Sequence, residues 1–231
     1  MARRIARNAA KVEPAVELET KLAPSQDRAR VTFELILEVT GELLSEVGVE
    51  RLSTNMICER AGITPPALYR YFPNKYAILR EIGRRLMEAE DAIVFDWLKE
   101  GKGAVDGPLE EAVRQRAELL ARVRQVARSQ PGGLWILRAM GALPVLREVR
   151  AESVREVAGA LFEQLRVSYP GADAERLHVA TLLSTALGSA ANEMVIDEPH
   201  LESRITDEMA RLTTLYYRDL LSIPNEGSDK E

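Results

Sequence analysis

Between Phe33 and Val47 the apolar residues return every third or fourth position: Phe33, Ile36, Leu37, Leu43, Leu44 and Val47, with Thr40 on the same stripe. Only an α-helix gathers that spacing onto one face. The same period recurs over most of the 231 residues, and no stretch alternates apolar with polar residues as a half-buried strand would. The fold class that follows is all-α. Helices must break where Gly and Pro cluster, at GKGAVDGP, QPGG, ALP, YPGAD and DEPH. Those breaks leave a few short helices near the front and long helical segments behind them.

The front is the more informative part. Residues 27–47 form the first amphipathic segment, stopped by Gly48. LSTNMICERAG then offers Ser53 or Thr54 as an N-cap, Met56, Ile57 and Ala61 as apolar positions and Gly62 as a left-handed stop. PPALYRYF reads as a third short helix halted by Pro73, and a fourth begins at Asn74. Two short helices joined by a tight AGIT turn, with a longer helix before them, make a helix-turn-helix. The prolines belong at a helix start, where the missing N–H would be unpaired in any case and the fixed φ suits helical entry. They push Thr64 into the extended conformation an N-cap needs, and either Pro65 or Pro66 is open as the first helical residue. Leu68 and Phe72, four apart, share the face expected to pack into the head. Tyr69 falls at the edge of that face, whereas Ala67, Arg70 and Tyr71 are read as displaced toward the surface.

Charge supports a phosphate partner despite the overall balance. The net charge is -5, yet residues 1–11 carry four Lys/Arg and no acid, and residues 48–85 carry seven Lys/Arg against three acids. The two segments sum to +8, so the remainder holds -13. Lys75, at the start of the fourth helix, is placed to meet a phosphate on exposed N–H groups. No apolar run approaches the roughly 18 residues of a membrane span, so a cytoplasmic protein without membrane contact is expected. Cys58 is the single cysteine and His178 and His200 the two histidines, which excludes an internal disulfide and a Cys/His metal cluster. Cys58 reads as packing and His178 as a polar edge residue. Phosphate-loop, dinucleotide-fingerprint, nucleophile-elbow and HExxH motifs are lacking, which argues against an enzyme. No cofactor is called for.

The run LSTNMICERAGITPPALYRYFPNKYAILREI resembles the DNA-binding signature of the TetR/AcrR family of bacterial transcriptional repressors, over residues 30 to about 82. The resemblance implies an N-terminal helix-turn-helix head on a larger helical body that binds a ligand and dimerises. It places Thr64, Pro65, Pro66, Ala67, Arg70 and Tyr71 at base or groove contacts, Thr54, Tyr69 and Lys75 at backbone contacts, and Asn55 where some members carry a base-reading side chain. Pro65 stands where a long polar reader can sit, so Arg70 becomes the main candidate for a bidentate guanine contact.

The resulting plan is a basic arm over 1–27, a DNA-binding head over 28–82, a ligand-binding and dimerisation body over 83–222 and a disordered tail over 223–231. The arm either reaches a minor groove or is merely solvated. In the body, Trp97, Trp135, Leu137, Met140 and Phe162 are the large apolar residues available to line a pocket for a small, apolar effector. Ala180, Ser184, Gly188 and Ala191 form a small-residue ridge read as a homodimer interface, with a buried intrachain contact as the alternative. The expected function is a homodimeric repressor released from a double-stranded palindromic operator by a small molecule. An activator or a partner-controlled regulator is the alternative.

Overall fold

The computed structural model describes residues 16–21 and 27–223. The basic residues of the arm, Arg3, Arg4, Arg7 and Lys11, and the expected tail from 224 lie outside them. Among the described residues the chain is all-α: α1 Asp27–Arg51, α2 Thr54–Ala61, α3 Pro65–Tyr69, α4 Lys75–Lys99, α5 Leu109–Ser129, α6 Gly133–Ala142, α7 Pro144–Ser168, α8 Ala174–Asp197 and α9 Glu202–Leu220, with a 3-10 turn over Pro199–Leu201.

Local chemistry sets the ends of the front helices. Ser53 Oγ accepts the Met56 N–H at the start of α2, and Gly62 closes that helix at φ 64°, in the left-handed region. Thr64 is extended and α3 begins at Pro65. Asn74 caps α4, its Oδ1 accepting the N–H groups of Tyr76 and Ala77. Gly48, at φ 73° and ψ 169°, leaves helical geometry and interrupts α1 where the sequence expects the stop, and one short further turn carries the chain to Arg51. Part of the expected arm is held in place: the Lys21 N–H donates to the Tyr71 carbonyl and the Asn74 side-chain amide donates to the Glu17 carbonyl.

Two apolar cores follow. The first joins α1–α4 to α6 and the start of α7, through Phe33, Ile36, Leu68, Phe72, Ile78, Leu86, Ile136 and Leu146. It crosses the expected 82/83 boundary, which falls inside α4, so head and body share one continuous helix and one core. The second gathers Trp97, Leu161, Leu165, Leu177 and Tyr217 at the far end of the body. Backbones meet closely at the junction: a Cβ at Gly41 of α1 would stand 2.4 Å from the Pro131 carbonyl oxygen. On the body's flank Glu202 of α9 accepts from Arg124 and Arg128 of α5 at 2.7–2.9 Å. Arg128 first, then Arg124, hold that carboxyl down at about 2. The buried Arg218 donates to the carbonyls of Val105 and Gly107, tying the α4–α5 loop to α9.

Candidate nucleic-acid interface and body cavity

α2, the turn at Gly62 and α3 form the helix-turn-helix, and α3 presents a short edge to solvent. Thr64, Pro65, Pro66 and Arg70 are exposed, Ala67 is half-buried, and Asn55 is exposed on the neighbouring α2. The Tyr69 ring is 42% exposed and its hydroxyl lies 2.9 Å from the half-buried Thr54 hydroxyl, which fixes both side chains on one surface. The Arg70 guanidinium sits 6.0 Å from the Tyr71 ring centre. Among the described basic residues of the head, Arg51, Arg70 and Arg80 enter no ion pair, whereas Arg60 is paired with Glu46, and Arg84 and Arg85 with Glu81.

Two expectations for the head need correction. Tyr71 is only 5% exposed and meets Phe33 edge-on, at 5.9 Å between ring centres. It therefore belongs to the core. α3 ends at Tyr69, and the Tyr71 N–H bonds back three residues to the Leu68 carbonyl, a tighter turn that carries the ring inward. Lys75 is not a free phosphate-seeking ammonium either: Nζ donates to the carbonyls of Val49 at 3.0 Å and Leu52 at 2.9 Å, closing the end of α1. Two N–H groups of the α4 start are already taken by Asn74. Cys58 is buried, as its position in the sequence implies, and burial pushes its thiol up.

The body contains a half-open cavity of about 130 Å³ between α4, α5, α7, α8 and α9. Of the five aromatic and apolar residues expected to line it, only Trp97 does. Leu137 and Met140 are buried in the first core, Trp135 is exposed beside Arg138, and Phe162 packs edge-on against His178. The wall is instead built from Met87, Val94, Leu119, Leu120, Val157 and Leu161, with polar groups at its two ends. Glu90, Asp91, Ser153 and Asn192 mark the end nearer the head, and Trp97, Arg116 and Ser184 the other. Ser153 Oγ donates to Asp91 at 2.7 Å. Burial pushes Glu90 up to about 8 and Asp91 to about 6, so Glu90 keeps its proton at neutral pH.

Residues 36–82 match the model of the bacterial regulatory proteins of the tetR family. The chain carries a tetR-family head. The chain is also 39% identical over 54 residues to the class C tetracycline repressor protein of Escherichia coli, a stretch that is 23% of this chain and 25% of the repressor. The matched stretch thus spans about a quarter of the curated relative's length. Likeness over the whole fold comes from solved structures. A TetR-family regulator from Streptomyces coelicolor superposes with a TM-score of 0.53 at 21% identity, covering 82% of this chain and 99% of that one. RolR in complex with the ligand resorcinol gives 0.51 at 19% identity, covering 87% and 97%.

Behind the tetR-family head, the small-residue ridge of α8 faces inward. Ala180 and Ala191 are buried, Gly188 and Ser184 line the cavity, and Ser184 Oγ lies 2.6 Å from the Tyr217 hydroxyl. The intrachain alternative is the one found. The outward face of α8 carries larger residues: Val179, Leu183, Leu187 and Met194 are each about half exposed, with Ala186 and Ala190 between them. Leu212 and Tyr216 of α9 are exposed as well. This apolar exterior makes α8, over Ala174–Asp197, long and apolar enough to cross a membrane by length and composition, with mean hydropathy 1.3 and a third of the window buried. The helix does so without a continuous run of about 18 apolar residues, since Thr181, Ser184, Thr185, Ser189 and Asn192 interrupt the sequence.

Proposed function

We propose that the chain is a homodimeric DNA-binding transcriptional regulator, a repressor whose two heads leave a palindromic operator when a small molecule enters the body cavity. The observation that carries this reading is the exposed edge of α3 within a tetR-family head. A helix start held by two prolines is rigid, and its side chains reach base edges by van der Waals contact, while Arg70 supplies donors in the fork geometry that suits guanine. Thr64, Pro65, Pro66, Ala67, Arg70 and Asn55 form the groove surface in this reading, and Thr54 and Tyr69 the backbone contacts. Lys75 and Tyr71 act from inside the head.

One module reads one half-site, so two heads held about one helical turn of DNA apart are required. The half-exposed apolar residues of α8 and α9 support dimerisation, because a contiguous face of this kind on two adjacent helices is stable in water only when covered. Coupling between cavity and head runs along α4. Its first turn is anchored in the head by Asn74, and Met87, Glu90, Asp91, Val94 and Trp97 of the same helix line the cavity. A molecule that fits the cavity better in a tilted α4 shifts the spacing of the heads and is bound more weakly when DNA is present. RolR, described with resorcinol bound, supports a small organic molecule as the occupant of such a body.

The deciding experiment is an anisotropy titration of the protein against DNA from upstream of its own gene. Tight, sequence-selective binding that weakens steeply with salt is expected. Affinity no greater than for random DNA removes the reading.

A further inference from the structure

The cavity holds an unusual set of unmatched groups. Among the described residues, six buried side-chain polar atoms have no hydrogen-bond partner, and four of them, Glu90 Oε1, Trp97 Nε1, Arg116 Nη2 and Asn192 Oδ1, belong to residues of its wall. Buried polar groups are normally paired, so this concentration marks a place where a partner is expected.

Arg116 is the decisive one. Its side chain lies in the body interior, 8% exposed, and enters no ion pair among the described residues. Its guanidinium rests between two aromatic rings, 5.0 Å from the Tyr217 centre and 5.9 Å from that of Trp97. Ring faces soften the burial of a cation but do not satisfy its N–H donors. Arginine stays charged in proteins, and a buried charge without a counter-charge is costly, so the pocket is built with a net positive end. Trp97 Nε1 adds a second unpaired donor at the same end.

We propose that the effector is an apolar carboxylate, its carboxyl group seated on Arg116 and Trp97 Nε1 and its tail lying along α4 toward Glu90. This rests on reading the cavity as the effector site. On α4 the polar groups Glu90 and Trp97 are seven residues apart, about 10 Å along the helix, which fits a medium-length aliphatic or arylalkyl tail. Val94, Leu119, Leu120, Val157 and Leu161 supply the apolar surface between. The far end does not turn the cavity into a cation site: Glu90 keeps its proton near neutral pH, and Asp91 already accepts from Ser153.

Calorimetric titration of the full-length protein with sodium octanoate, octan-1-ol and octylamine tests the proposal. Octanoate should bind about tenfold or more tighter than either, the range of a charge-assisted hydrogen bond. In Arg116→Met that preference should collapse while octan-1-ol binding persists. Should that variant fail to fold, carboxyl-13C octanoate on the unaltered protein reads the same contact, since a guanidinium-paired carboxyl must titrate below its free value. Equal or tighter binding of the alcohol or the amine, or an unshifted carboxyl titration, overturns the proposal. Release of bound upstream DNA separates this from the effector reading. If octanoate binds preferentially and the DNA complex persists, the carboxylate site stands and the effector reading falls. If octan-1-ol binds as tightly as octanoate and releases DNA as well, the effector reading stands and the carboxylate falls.

Discussion

At the scale of the residue, Arg70 and Lys75 separate reading from holding. Arg70 is exposed and enters no ion pair among the described residues, so Arg70→Ala should leave the fold intact and relax sequence preference, costing about 1–3 kcal/mol on the best site and little on random DNA. Competition titrations with operator and scrambled duplexes measure it. Lys75 spends its ammonium on two carbonyls at the end of α1. Lys75→Met should therefore destabilise the head by about 1–3 kcal/mol in urea unfolding without DNA, a loss a purely phosphate-contacting lysine would not show. Glu90 gives a pH signature. Its carboxyl is raised to about 8 by burial, beside Asp91 and facing Arg150. Below the ordinary carboxylate range both folded and unfolded states hold the proton and nothing is lost. As pH rises from there toward 8 only the unfolded chain releases it, so folding loses ground and the full penalty stands above 8. Glu90→Gln should accordingly be more stable than the parent at pH 9, by about 1 kcal/mol or more, and nearly equal to it at pH 4. A pH-independent difference in denaturation midpoint would contradict this.

At the scale of the element, the features readable in the chain were those decided within a few residues. Ser53, Gly62, Pro65 and Asn74 set helix ends by local hydrogen bonding and φ restriction, and all four act where the sequence places them. Gly62→Ala forces a side chain into the left-handed region at φ 64° and should cost about 1 kcal/mol, seen as a lowered urea midpoint. Tyr71 was misplaced although its spacing held the clue, since it stands three residues from Leu68 and such pairs share a face. The ridge on α8 failed for a different reason. Small residues at helical spacing show that a close contact exists, but not whether a neighbouring helix of the same chain makes it. Here α9 and the cavity do, and the larger residues face out. Cavity lining was the least legible, because five helices from residue 87 to residue 213 converge on it and no single period records that convergence. In the sequence nothing separates Arg116 from the other charges of α5, and only tertiary packing buries it.

At the scale of the whole molecule, the head and the body share one core and one long helix, and the uncovered surface decides what assembles. Gly41 and the Pro131–Gly132 corner bring α1 against the turn before α6 with no room for a methyl group. Gly41→Ala must move backbone on one side or the other, so it should both destabilise the protein and weaken the effect of an effector on DNA. The apolar face of α8 and α9 bears on assembly more directly. Leu183 and Leu187, about half exposed, lie one turn apart near its middle, away from both cores and from the cavity wall. An arginine at either site meets water in a monomer at little cost, but would be desolvated and face its own symmetry mate across a two-fold interface. Leu183→Arg combined with Leu187→Arg should therefore leave helix content unchanged and shift the mass in sedimentation from dimer to monomer. Because each head alone contacts a single half-site, the same protein should lose most of its operator affinity while keeping its weak, salt-sensitive hold on random DNA. A double variant that remains dimeric would move the interface elsewhere on the surface and leave the α8 face without an occupant.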